Sequence, residues 1–346
     1  RFYRATKTGP IDVVKGTAHM AAHPSVGTPL FYGVFFIAVC IMIAVDMLSL
    51  KKSGAHKISV KEALAWSCIW IAVSCGFAGW LYFELAGNPA YGAVVAKEKV
   101  LEFFTGYILE KSLAVDNIFV FLMIFGYFKV PQQYQHRVLL YGVFGAIALR
   151  ALMIFVGAVL VQQFEWVLYL FGAFLLYTGI HMIKAGGDDE DEDLSKNKLL
   201  GWLQKHIPVS RVLNGEKFFT LENGKRIATP LLLVLVMIEL SDVIFAVDSI
   251  PAVFAVTTDP FIVLTSNIFA ILGLRAMYFL LADVADRFVF LKYGLAFVLS
   301  FIGVKMLAMH WIHIPISISL SVVFGALGAS VLISLIYSKK LEKRGH

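Results

Sequence analysis

An all-α bundle of about nine membrane-crossing helices is the fold this sequence predicts, and three observations predict it. Hydrophobic residues make up 59% of the chain and charged residues only 16%, far more apolar surface than one soluble core of 346 residues can bury. Apolar stretches approaching the roughly 20 residues that cross a bilayer as helix follow one another along most of the chain. Short sequence marks also recur, in the same order, in two places.

The expected spans are 29–50, 62–83, 100–127, 138–161, 166–184, 229–256, 260–281, 290–309 and 315–337. The first carries Cys40 and Asp46, the second Cys68 and Cys75, and no C-x-x-C pair occurs. The cysteines therefore read as small core residues. The third carries Glu110, Lys111, Asp116 and Asn117, the fourth Arg150, and the fifth His181 without a second His beside it. The sixth holds Glu239, Asp242 and Asp248, the seventh Arg275, and the eighth Lys305. The ninth has no ionisable side chain before its basic end. "HWIH" at 310–313 reads as an interfacial belt.

Between spans five and six lies the one large connection, 185–228, with the acidic run "DDEDEDLS" and then "FFTLENGKRIAT", which reads as a short hairpin. Residues 1–27 lack an apolar signal core and fit no span. The domain organisation is thus an extension 1–27, one membrane domain 28–337 and a basic tail 338–346. Lys and Arg concentrate in the connections after the odd-numbered spans and in the tail, so the positive-inside rule puts the C-terminus in the cytoplasm and the start of the first span outside. The formal charge of +6 is mostly this topological signal and gives no support for nucleic-acid binding.

"AVDN" at 114–117 is matched by "AVDS" at 246–249, each with an acid six residues before its Asp, namely Glu110 and Asp242. "LRALMIF" at 149–155 matches "LRAMYFL" at 274–280, and "GIHMI" at 179–183 matches "GVKML" at 303–307. Repeat one is thus 100–184 and repeat two 229–309. Three spans is an odd number, so the second copy enters the membrane from the opposite side. Such an inverted repeat is common in secondary transporters, whose substrate site lies where the copies meet.

Charges at mid-membrane cost on the order of 3 kcal/mol each on insertion scales and must face partners. Glu110, Asp116, Asn117, Glu239, Asp242 and Asp248 are the candidate metal ligands. Asp46, Lys111, Arg150, Arg275 and Lys305 are the charges expected to balance or couple to them. The alternative is that all of these charges pair only to lock the bundle. At 100° per residue, Asp242 and Asp248 point about 120° apart on one straight helix. Pro251 removes the amide that would bond the Val247 carbonyl, so the helix is expected to be kinked or unwound beside Asp248, and in repeat one Gly106 and Asn117 are the candidates for a break. All the ligands are oxygens, with Ser241 and Ser249 adding hydroxyls, which suits Mg²⁺, Ca²⁺ or Mn²⁺ rather than metals that take His or Cys.

"EKSLAVDN", "ELSDVIFAVDSIPAVFAVTTDPFIVLTSNIFAILGLRAMYFLLA" and "FGAFLLYTGIHMIKA" resemble the TerC/Alx family of bacterial integral membrane proteins, over residues 27 to 340. The resemblance implies an inner-membrane protein that exports manganese, with Mn²⁺ as substrate rather than a bound cofactor and Glu110, Asp116, Glu239, Asp242 and Asp248 as its functional residues. Alternating access against protons is the expected mechanism, because clustered carboxylates hold protons that a binding dication displaces. A second reading is an assembly factor that delivers metal to, or helps insert, other membrane and exported proteins, with the insertion machinery or a second copy of the chain as its protein partners. A third, an intramembrane aspartyl protease, lacks its G-x-G-D signature here. The chain is therefore expected not to be an enzyme.

Overall fold

The structure is a computed structural model that describes residues 25–53, 59–164, 166–185, 209–210, 213–222, 225–282, 290–312 and 314–342. The helices in chain order are α1 (Pro29–Ser53), α2 (Val60–Gly87), α3 (Gly92–Tyr127), α4 (Gln132–Gln163) and α5 (Trp166–Ala185). After them come the strands β1 (Phe219–Glu222) and β2 (Lys225–Ala228) and then α6 (Pro230–Phe254), α7 (Pro260–Leu272), α8 (Leu274–Ala282), α9 (Leu291–Ala308) and α10 (Ile316–Glu342). The starts follow local chemistry. Ser59 accepts from the Glu62 amide at 3.2 Å to cap α2, and α6 and α7 begin on prolines, whose missing amide costs nothing in a first turn.

Among the described residues seven helices are long and apolar enough to cross a membrane, and α7 with α8, bent by 42°, makes an eighth. The stretch expected as the third span is α3, whose length is ample for a crossing but whose Glu110, Lys111 and Asp116 interrupt its apolar character. The unwinding expected at Pro251 does not occur: α6 is helical through it. Pro251 stands in the last turn, and the helix ends three residues after it, at Phe254. α3 is likewise continuous past Gly106 and Asn117. The break falls instead at Gly273, between α7 and α8.

At the centre α3 packs on α2, α6 and α7, while α4 packs on α6 and α7, α5 lies along α9, and α10 covers α9 and α3. The α5–α9 crossing is a backbone-to-backbone approach. A Cβ on Gly303 would stand 2.6 Å from the Leu176 amide nitrogen, and one on Gly172 3.2 Å from the Gly303 carbonyl. Small residues allow such contact where no hydrophobic drive exists between lipid-solvated helices. The hairpin expected in the long connection is present, with Phe219 opposite Ala228 and Glu222 opposite Lys225. Arg137 on α4 ties its base through Glu216 at 3.0 Å.

Residues 25–27, assigned from sequence to the extension, pack into the fold, with Val26 wholly buried. Its amide donates to Asp259 Oδ2 at 2.9 Å and the Ser25 hydroxyl to Asp259 Oδ1 at 2.7 Å. Asp259 also caps α7 through the Phe261 amide at 3.1 Å and lies 3.7 Å from the Lys99 ammonium, itself paired with Glu102. Asp259 is therefore not the plain loop acid that its place between two spans suggests. Asp259→Asn keeps the Oδ1 acceptor but turns an NH₂ toward the Val26 amide, donor against donor. We expect a loss of about 2 kcal/mol, read as a lower melting midpoint in detergent; a midpoint equal to the parent's would show that the N-terminal contact adds nothing.

Candidate cation site

The charged side chains gather where α3, α4 and α6 meet. Arg150, on α4, is 1% exposed. Its Nε and Nη2 donate to the two oxygens of Asp242 at 3.0 and 2.7 Å, a two-point fork, and its Nη1 donates to Glu110 and, at 3.2 Å, to the Ser249 hydroxyl. Asn117 Nδ2 donates to Asp242 Oδ1 at 3.3 Å. The two acids that stand six residues before the aspartates of "AVDN" and "AVDS", Glu110 and Asp242, thus meet, and a guanidinium stands between them. This pairing explains how three charges persist in a buried position: fork geometry suits guanidinium and carboxylate, and each partner offsets the desolvation of the others.

Not every lone pair is used. Glu110 Oε2, Asn117 Oδ1 and Glu239 Oε2 are buried without a hydrogen-bond partner. With both acids ionised the trio carries one net negative charge. Glu239 sits one turn before Asp242, against Gly142 and Gly145 of α4. A Cβ on Gly145 would collide with its carboxylate, so glycine there makes the room. Glu239, Asp242, Gly142, Ile271 and Arg275 line a cavity of about 20 Å³, enough for one water or one bare ion.

The other expected residues lie apart. Asp248 is half-buried and accepts from Thr178 of α5 at 3.3 Å, on the side of α6 that the 120° offset requires. The side chain of Asp116 lies outside the described residues, and so does His313. Asp46 of α1 pairs with Arg275, which also meets the ring of His136 at the start of α4. Lys111 lies over the Tyr107 ring at 5.7 Å and presses against Gly273 at the α7–α8 break. Lys305 is half-buried on α9. The hydroxyl of Ser241 is turned back to the Met237 carbonyl at 2.8 Å. Among the described residues no three His, Cys, Asp or Glu side chains stand together as ligands of one ion. The carboxylates expected to converge on one point instead form a pair held by Arg150, a separate Glu239 facing the cavity, and Asp248 on another face. Thr178 and His136 had no signal in sequence, since only folding brings them to Asp248 and Arg275.

A bundle of apolar helices around a buried cluster of paired acids and a guanidinium is a polytopic membrane protein of transporter-like build. The family model described as "Integral membrane protein TerC family" matches residues 95–342, and the chain belongs to that family. It is 53% identical to Alx of Escherichia coli strain K12, provisionally named a membrane-bound redox modulator, over 92% of this chain and 98% of that protein. It is 45% identical to the uncharacterized membrane protein STKORF319 of Myxococcus xanthus, over 92% of this chain and 96% of that one. It is 38% identical to an uncharacterized membrane protein of Rickettsia bellii, over 90% and 99%. No solved structure matches the chain.

Proposed function

We propose that the protein is a secondary transporter that exports Mn²⁺ from the cytoplasm by alternating access, with protons moving the other way. The observation that carries this reading is the meeting of Glu110 and Asp242, one from each repeat, on a single buried guanidinium. Two carboxylates with Arg150 sum to one negative charge, and the same carboxylates with Mn²⁺ sum to zero. Arg150 then acts as a tethered cation. It holds the empty site together, gives way when Mn²⁺ enters through the cavity beside Glu239, and returns after release. Oxygen ligands alone suit a hard dication.

The helix pairings support the inverted repeat. α3 on α7 and α6 on α4 are contacts that exchanging the repeats would interconvert, and α5 on α9 and α3 on α6 are contacts it would map onto themselves. On the orientation read from the basic connections, export runs from the C-terminal side of the bacterial inner membrane outward. A redox role of the kind in the relative's name would call for reactive thiols; Cys40, Cys68 and Cys75, expected from sequence to lie in the core, are instead free and exposed on the outer faces of α1 and α2, spread over two helices with no second thiol paired to any of them. The test is purified protein in liposomes under an imposed pH gradient. We expect Mn²⁺ flux that follows the gradient and exceeds Zn²⁺ flux; no flux by the protein alone would favour a role in assembling other membrane proteins.

A further inference from the structure

All the buried side-chain polar atoms left without a partner among the described residues are oxygens: Tyr107 Oη, Glu110 Oε2, Asn117 Oδ1, Glu239 Oε2 and Asn267 Oδ1. Of the α7 residues only Asn267 is among them, and it belongs to neither acid motif. It is 0% exposed. Its orientation is fixed, because Nδ2 donates to the Val263 carbonyl at 2.9 Å and flipping the amide would set two oxygens face to face. Oδ1 therefore stays in the interior without a donor. Val263, Ala270 and Ile271, on the same stripe of α7, are apolar and buried, so packing at this place does not call for an amide.

Its place along the bundle follows from helical spacing. Ile271, one turn after Asn267, lines the cavity beside Glu239 and Asp242, and so does Ala146, one turn before Arg150. α4 and α7–α8 run antiparallel, since His136 near the start of α4 meets Arg275 of α8. The backbone positions of Asn267 and Arg150 thus stand at about one level, a turn beyond Ile271 and Ala146, while the Arg150 guanidinium reaches back to Asp242 at the cavity. Gly106 of α3, one turn before Glu110, touches Ser266, the neighbour of Asn267.

We propose that Asn267 Oδ1 is a neutral oxygen ligand for the divalent cation on its way to or from the cavity that Asp242 lines. The proposal rests on the transport reading above. A carbonyl oxygen raises the coordination number of a hard cation without adding charge, so the ion is held while it displaces Arg150 and still leaves.

The experiment uses the full chain in nanodiscs and follows Mn²⁺ binding by loss of the free-ion electron paramagnetic resonance signal, beside the metal-free melting midpoint. Asn267→Leu has nearly the same shape without the oxygen. It should keep or raise the melting midpoint and weaken Mn²⁺ binding by about tenfold. Asn267→Asp should bind more tightly and turn over more slowly. If the parent binds Mn²⁺ and Asn267→Leu binds it equally well, this assignment is overturned while the transport reading stands. If the parent binds none, both fall. Should Asn267→Leu fail to fold, unchanged affinity in Asn267→Asp overturns the assignment by itself.

Discussion

Arg150→Met should remove most of the folded protein from the membrane. The change leaves Glu110 and Asp242 buried side by side without their counter-charge, and breaking a buried ion pair in this way costs about 3–5 kcal/mol. That loss alone says nothing about transport, since a charge network that only locked the helices together would show it too. The triple replacement Glu110→Leu, Arg150→Met and Asp242→Leu separates the two. Exchanging a whole buried ion cluster for apolar side chains of similar volume is often neutral or stabilising. The triple variant is therefore expected at near the parent's abundance and melting midpoint, yet with no Mn²⁺ flux in liposomes. Export by the triple variant at the parent's rate would make the cluster a structural device only. Normal abundance of the single variant would mean that its two acids are neutral in the folded protein.

The meeting of Glu110 and Asp242 was legible because each stands six residues before the Asp of an "AVD", and such matching marks on two helices are candidates for facing one another. That an intramembrane base would neutralise them was also legible, from the expense of charge in hydrocarbon. Which base takes which acid was not. Asp46 and Arg275 are 229 residues apart, and their pairing depends on how α1 leans on the bundle. Unwinding at Pro251 was not needed, for a physical reason: a proline in the last turn frees one carbonyl and the helix then stops. Gly273 carried the break instead, with the Lys111 ammonium against it, and a single glycine in an apolar run is a weak signal before the fold is known. Asp259 looked dispensable because its partners Ser25 and Val26 lie more than 230 positions away.

Asp248→Asn is the substitution expected to separate folding from transport most cleanly. Asp248 is half-buried and accepts a 3.3 Å hydrogen bond from Thr178, which the Oδ1 of an asparagine accepts equally well. Stability should therefore shift by less than about 0.5 kcal/mol, and abundance in the membrane should match the parent's. If Asp248 is a stop on the cation's path, on the far side of α6 from the Arg150 cluster, losing its charge removes one of the sites between which the ion must step. Mn²⁺ flux in liposomes should then fall to background, and cells carrying the variant should fail to lower their Mn²⁺. Thr178→Val is the companion variant: it deletes the donor and keeps the charge, so it should slow flux without abolishing it. Flux at the parent's rate in Asp248→Asn would take this residue off the path and confine the cation site to Glu110, Asp242 and Glu239.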